Sequence, residues 1–295
     1  MPSPIITLTS DFGWRDGYVA AMKGVILGIC PDAILVDISH ELPAHDIAHA
    51  AFVLGSTFPH YPPRTVHVAV VDPGVGTARR PLLLTTPGGT YIAPDNGLIS
   101  YVLMECGTIG WRDTASERGD SPFEAASVPV PGSCAAYVLN SEGYWLNPVS
   151  NTFHGRDIFA PVAAHLASGV PPRQLGEPVD EVQCIGIPWS VERENSCEIE
   201  GSVICIDRFG NLVSSIRLIE SDPRSVEVEI QGRLIPGLSP AYAGAEELLA
   251  IIGSHGYLEI AVRGGSAAEY LGADVGTEVR VVHGGGAARP DGGHA

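Results

Sequence analysis

TVHVAVVDPGVGTARR, Thr65 to Arg80, begins as an apolar run, Thr65 to Val71, and then turns through Asp72, Gly74 and Gly76 towards paired arginines. A β-rich run that ends in a glycine turn reads as a strand buried on both faces, the kind that parallel sheets use. Working outward, Ile5 to Thr9 reads as an earlier strand with Asp11 at its end, and Ala33 to Ile38 as another. Between them Tyr18 to Ile29 carries apolar residues at helical spacing behind Asp16 as the expected cap, and Ile47 to Phe58 reads as a second helix. Pro81 to Thr86 and Thr90 to Ala93 flank Pro87, Gly88 and Gly89 as a hairpin. Asp157 to Ala167 reads as a helix capped by Asp157 and stopped at Gly169. The expected fold class is α/β, with an N-terminal, mainly parallel sheet flanked by helices.

Beyond a Pro-punctuated linker, Gly169 to Pro188, the pattern changes to alternating strands: Glu198 to Ile206, Leu212 to Leu218, Val226 to Ile230, Tyr257 to Val262 and Glu278 to His283. These predict a smaller C-terminal antiparallel β domain. The expected boundaries are 1–180 and 189–283, with 284–295 a disordered Gly-rich tail.

Composition narrows the function by exclusion. Seventeen Lys and Arg against 34 Asp and Glu give a net charge of −17, so no basic footprint exists for nucleic acid or an anionic membrane surface. The six cysteines, Cys30, Cys106, Cys134, Cys184, Cys197 and Cys205, form no C-x-x-C pair, and reduced thiols are expected. Strand-like sequence starts at Ile5 and no apolar run reaches a membrane span, so a cytoplasmic protein is expected.

Several constellations could carry chemistry. Ligands of open α/β sheets bind beyond the carboxyl ends of strands, where Asp11, Asp72 and Asp95 are expected to project. In VVDPGVGTARR, Val70 to Arg80, a carboxylate, two glycines and two guanidiniums suit a small polar ligand, although Arg79 and Arg80 also read as a solvated pair. No Gly-Lys-Ser or Gly-Lys-Thr follows, so the turn is no P-loop. His154, in FHGRDIFAP, sits before a helix start where it could move protons near neutral pH, but a lone histidine there more often serves a structural hydrogen bond. His45 and His49 have the i, i+4 spacing of zinc ligands near His40 and Asp46; Asp46 is equally placed to cap the helix, and no metal is expected. In IDRFGNLVS, Ile206 to Ser214, the turn gathers Asp207, Phe209 and Asn211, which fits a purine and an ammonium group or an ordinary turn with Asn at positive φ.

Taken together, TSDFG (Thr9 to Gly13), VVDPGVGTARR, APDNGL (Ala93 to Leu98), FHGRDIFAP, DRFGN (Asp207 to Asn211) and IGSHGYLEIAV (Ile252 to Val262) resemble the S-adenosylmethionine hydroxide adenosyltransferase family, adenosine-forming hydrolases related to fluorinase and chlorinase. The resemblance spans Ile5 to His283. It implies hydrolysis of S-adenosylmethionine to adenosine and methionine without a cofactor, in a homotrimer whose active sites lie between the N-terminal domain of one subunit and the C-terminal domain of the next. It implies further that Asp72, Arg79 and His154 activate water, that Asp11 holds the ribose hydroxyls, that Asp207 and Ser254 hold the methionine portion with Asp16 near it, and that Phe209 and Asn211 hold adenine. Asn96 and Gly264 are the remaining substrate-binding positions. The halogenase relatives carry an extra N-terminal loop and lack the Asp-Arg-His set, whereas here the Pro87 to Gly89 hairpin is short and all three residues are present. Hydroxide is thus expected over halide. His255 stands after Ser254 where fluorinase has an arginine. The alternatives are halide-dependent transfer giving 5′-halo-adenosine, and a non-catalytic adenosyl-ligand sensor.

Overall fold

The computed structural model describes residues 2–107, 125–186, 191–193, 198–217, 225–243 and 247–283, and the chain divides into two compact units, Met1–Gly186 and Ile187–Ala295. The first holds β1 (Ile5–Ser10), β2 (Ile34–Ser39), β3 (Val66–Val70), β4 (Pro81–Thr86), β5 (Gly89–Pro94), β6 (Ala125–Pro129), β7 (Ala135–Val138), β8 (Glu177–Val179) and β9 (Glu181–Ile185). Seven of these form one sheet in the order β2-β1-β3-β5-β4-β7-β8, while β6 and β9 pair separately. β2, β1, β3 and β5 run parallel. From β5 onward the pairing is antiparallel, and between β4 and β5 the Pro87-Gly88 turn is too short for a crossover.

Helices α1 (Tyr18–Ile29), α2 (Ile47–Thr57), α3 (Ser100–Glu105) and α4 (Ala160–Ala167) cover this sheet. Met22 and Ile26 of α1 and Val162 and Ala163 of α4 bury against Ile6, Leu8, Val66 and Val68, one face of the central strands. Side chains alternate across a strand, so Thr7 and His67 point the other way. There Thr7 Oγ1 lies 2.8 Å from His67 Nδ1, and the imidazole stacks on Tyr91 at 5.0 Å with Tyr61 edge-on.

Several expectations are corrected. Asp16 is exposed and caps nothing: Gly17 is the N-cap of α1 and supplies no side-chain bond. Asp157 caps no helix either, since α4 begins at Ala160 after a π turn, Gly155–Phe159. Gly169 does follow the end of α4, with φ of 99°. Gly169 to Pro188 is not a plain linker but contains a helical turn, Pro172–Leu175, and then β8 and β9, so the first unit runs to Gly186 rather than 180. The prolines of that stretch hid a strand whose Val182, Cys184 and Ile185 are buried.

The second unit is antiparallel: β10 (Val191–Arg193), β11 (Glu198–Ile206), β12 (Leu212–Ser214), β13 (Val226–Ile230), β14 (Arg233–Pro236), β15 (Leu248–Ile252), β16 (Leu258–Val262) and β17 (Glu278–His283) make one sheet, β14-β13-β17-β11-β12-β16-β15, with β10 on β11. β14, β15 and a one-turn helix, Ala267–Leu271, were not expected from the sequence, and β12 stops at Ser214 rather than Leu218. Val203, Leu212, Val228, Ile260, Val279 and Val281 form its core. The tail, 284–295, lies outside the described residues. Among the described residues no helix is long and apolar enough to cross a membrane.

Burial lowers the His67 pKa to about 4. Unfolding restores the ordinary value near 6.5, so the unfolded chain binds more protons in between, and stability present above pH 6.5 is lost as pH falls towards 4. The loss should total about 3 kcal/mol over that window. Urea titrations at pH 7 and pH 5 should show a smaller fall for His67→Gln than for the parent; parallel falls would exclude this origin.

Candidate active site

Among the parallel strands the order reverses between β1 and β3: the chain leaves β1 for β2 on one side and returns to β3 on the other. Helices leaving such a pair diverge and open a crevice at the strand ends. Asp11 follows β1 and Asp72 follows β3, one on each side of this switch point.

The Asp72 turn folds back on itself. Val75 N donates to Asp72 O at 3.1 Å, Thr77 Oγ1 donates to Gly74 O at 2.6 Å, and Arg79 returns alongside Asp72. Gly76 has φ of 76°, and a Cβ there would lie 2.4 Å from the carbonyl oxygen of Asn151. Only glycine meets both conditions, and the contact brings the turn against the segment that leads to His154.

His154 stands at the N-cap of the π turn. Such turns insert a residue into helical geometry and often re-aim a side chain at a functional site. Gly155 packs against Met22, Phe12 and Phe153, with 3.2 to 3.3 Å left for any Cβ, and Phe12, Tyr18 and Phe153 form a mutual cluster with centroids 5.1 to 5.8 Å apart. The start of the turn is thus held by aromatic side chains on the β1 side.

The three expected residues meet. Arg79 Nε lies 2.9 and 3.0 Å from the two Asp72 oxygens, its Nη2 makes a further ion pair with Asp72 Oδ2, and Nη2 also lies 2.6 Å from His154 Nδ1. The guanidinium side chain is 10% exposed and the carboxylate 5%, and Arg79 also lies over the buried Phe159 ring at 5.3 Å. Because a guanidinium only donates, Nδ1 must be the acceptor, and neutral His154 carries its proton on Nε2. Burial lowers the His154 pKa, the Arg79 charge adds to this, and Asp72 and Asp157 oppose it.

Other candidates have more local duties. Asn96 Nδ2 donates to Val71 O at 2.9 Å, securing the residue before Asp72. Asp95, expected to project with Asp11 and Asp72, instead accepts from Arg80 Nε and from Gln183 N, each at 2.7 Å, which also removes Arg80 from the solvated-pair reading. Asp157 is buried and accepts from Ser150 N and Arg156. Asp11 Oδ2 accepts from His45 N at 2.9 Å, while Asp16 makes no side-chain hydrogen bond among the described residues. His45 precedes α2 at φ of 65°, so it and His49 do not share a helix face; Asp46 is the N-cap and accepts from His49 N.

In the second unit Asp207 Oδ1 accepts from Phe209 N and Asn211 N, and Oδ2 from Asn211 Nδ2. This closed turn leaves Phe209 76% exposed, and the positive φ belongs to Gly210, not Asn211. Ser254 and Gly264 are exposed loop residues. His255 points inward, its Nε2 2.8 Å from Glu259 Oε1, and Tyr242 OH donates to Oε2 at 2.6 Å. Sequence reading missed Glu259 because it is a lone acid within an apolar strand. Burial alone would raise its pKa, but the bonds from His255 and Tyr242 prevail and hold it below the usual value.

The first unit is therefore a switch-point α/β fold with an acid, a guanidinium and an imidazole in contact at its strand ends, and the second is an antiparallel β module. Models of the S-adenosylmethionine hydroxide adenosyltransferase N-terminal and C-terminal domains match residues 6–176 and 201–280, and the chain belongs to this family. It is 38% identical over 293 residues to a (R)-S-adenosyl-L-methionine hydrolase of Salinispora tropica, covering 96% of this chain and 99% of that protein. A fluorinase of Nocardia brasiliensis is more distant, at 27% identity over 94% of this chain and 96% of its own. Among solved structures, an uncharacterized conserved protein from Thermotoga maritima aligns with a TM-score of 0.78 at 30% identity, over 94% of this chain and all of that one.

Removing the Arg79 charge should raise the His154 pKa, since that charge lowers it. Imidazole proton resonances followed against pH should place His154 below 6.5 in the parent and higher in Arg79→Met. An unchanged His154 titration would mean that the two groups do not face each other in solution.

Proposed function

We propose that this chain hydrolyses (R)-S-adenosyl-L-methionine to adenosine and L-methionine, with Asp72, Arg79 and His154 acting on the water. The observation that carries the reading is the contact of these three side chains, drawn from distant parts of a chain whose hydrolase relatives match it over nearly full length. Water attacks the 5′ carbon in line with the sulfonium, the carbon–sulfur bond breaks, and its electron pair leaves on neutral methionine. No acid is needed on sulfur, so the difficulty lies in the nucleophile, whose bulk pKa is about 15.7.

Each group has a distinct part. Nε2–H of neutral His154 donates to the water oxygen and orients it. The Asp72 oxygens keep lone pairs beyond those that face Arg79, and so Asp72 accepts the proton as the carbon–oxygen bond forms. Arg79 holds both partners and offsets negative charge that develops on oxygen. Asp11 accepts the ribose hydroxyls, fixing the 5′ carbon towards the water. Asn96, a further substrate-binding position on this reading, also supports the Asp72 turn.

The same reading makes the protein a cytoplasmic homotrimer that needs no cofactor. The C-terminal unit of a neighbouring copy then supplies Asp207, Phe209, Asn211, Ser254 and Gly264, with Asp16 near the methionine end. His255 has both ring nitrogens engaged, Nε2 with Glu259 and Nδ1 as acceptor from Tyr257 N at 3.3 Å, so the methionine carboxylate falls to Ser254 and its loop rather than to this side chain.

Purified protein supplied with S-adenosylmethionine should form adenosine and release one proton per turnover, with no 5′-halo-adenosine when chloride or fluoride is present. Absence of adenosine would leave the sensor reading, and a halogenated product the transfer reading. Alanine at Asp72, Arg79 or His154 should slow turnover by about 10²-fold or more with the fold retained. Near-parental rates in folded variants would remove the assignment, and a chelator should leave the parental rate unchanged.

A further inference from the structure

A second chain of polar contacts runs beneath the loop that carries Asp11. Ser10, the buried last residue of β1, places its Oγ 2.7 Å from His40 Nδ1. His40 is 1% exposed and lies with Nε2 3.0 Å from Asp37 Oδ1, while Lys23 of α1 donates to Asp37 Oδ2 at 2.6 Å. Phe12 N donates to Ser10 Oγ at 3.3 Å. The direction of the chain is determined: a carboxylate only accepts, so Nε2 of His40 carries the proton, and Nδ1 of the neutral ring accepts from the Ser10 hydroxyl. Burial lowers the His40 pKa and keeps the ring neutral, although Asp37 pulls the other way.

The strand register explains why an imidazole lies there. β1 and β2 pair Leu8 with Asp37 but Thr9 with Ser39, leaving Ile38 as an extra residue on β2. This bulge advances His40 by one position, level with Ser10 instead of Asp11. The loop after β2 then clasps the loop after β1 twice more, through Gly13 N to His40 O at 2.7 Å and His45 N to Asp11 Oδ2 at 2.9 Å. Trp14 covers the chain, its ring edge-on to His40 at 4.8 Å and beneath Lys23 at 5.5 Å. None of these groups takes part in activating water, yet together they fix the backbone on both sides of Asp11 and one of its oxygens.

We propose that Ser10, His40, Asp37 and Lys23 form a positioning assembly for Asp11, which sets the angle at which that carboxylate meets the ribose hydroxyls. The proposal rests on the ribose-binding part assigned to Asp11 above. Asp11 is the group that touches substrate, and the four act through it.

Equilibrium binding of adenosine and 2′-deoxyadenosine to the full chain tests this, because the ratio of the two affinities reports hydrogen bonding at the ribose alone. The parent should prefer adenosine by about tenfold or more, the usual penalty for leaving a charged acceptor unpaired, and Asp11→Asn should lose most of that preference. Ser10→Ala and His40→Gln should lose much of it as well, with thermal midpoints close to the parent's. His40→Asn should retain more, since its amide oxygen falls near the position of Nδ1 and can still accept from Ser10, whereas the Gln amide reaches only Asp37. A role confined to filling space would lower the midpoints of both His40 variants and leave the ratio unaltered. An unaltered ratio in folded Ser10→Ala and His40→Gln, with the preference abolished in Asp11→Asn, overturns the proposal and leaves the functional reading standing. Failure of the parent to bind either nucleoside, or full preference in Asp11→Asn, overturns the reading and the proposal with it. If Ser10→Ala does not fold, the two His40 variants make the same comparison.

Discussion

The Arg79 guanidinium is the constraint around which the first unit is arranged. A cation with so little exposure costs several kcal/mol unless a counter-charge and hydrogen bonds accompany it. Asp72 supplies the counter-charge through both oxygens, and His154 takes a remaining donor. Because arginine has no lone pair to offer, this packing also dictates the chemistry: it fixes the tautomer of His154 and makes its free nitrogen a donor. Stability and protonation state follow from the same contact.

The sheet brings these groups together by ending its strands at one level. β1 and β3 deliver Asp11 and Asp72 to either side of the switch point, and two glycines, Gly76 exposed and Gly155 buried, allow the remaining close approaches. Gly76 admits the backbone of the His154 segment, and Gly155 admits Phe12, Phe153 and Met22, so the loop of β1 and the π turn share one packed contact. The turn geometry is specified by what lacks a side chain as much as by what carries one.

The parallel strands were legible as short β-rich apolar runs, those of β1 and β3 leading into Asp11 and Asp72, and Asp72, Arg79 and His154 were legible as motif members. The resemblance gave the three a shared task, but the particular contacts that join them, with Arg79 between the Asp72 carboxylate and His154 Nδ1, are tertiary and follow from no spacing along the chain. Local polar residues went elsewhere where tertiary bonds claimed them: Asp157, expected to cap a helix, is held by Ser150 N and Arg156, and Asp95, expected to project at a strand end, by Arg80 and Gln183 N. His40 drew notice beside His45 as a metal candidate, but the bulge at Ile38 turns it towards Ser10. A bulge changes register by one residue, and periodicity cannot reveal that in advance.

The charge balance of the cluster bears on the choice of nucleophile. A halide must arrive as an anion, lose its water and be held by unpaired positive charge or by donors. Here the guanidinium already has its carboxylate at hydrogen-bonding distance, so the pair is close to neutral, and an added anion would face Asp72 as well as Arg79. Water brings no charge and can use both ends of the arrangement, its oxygen accepting from His154 while a hydrogen points to Asp72. The acid that makes this site unfavourable for an anion is the same acid that can take water's proton. On the proposed mechanism, hydrolysis and the disfavouring of halide both trace to Asp72.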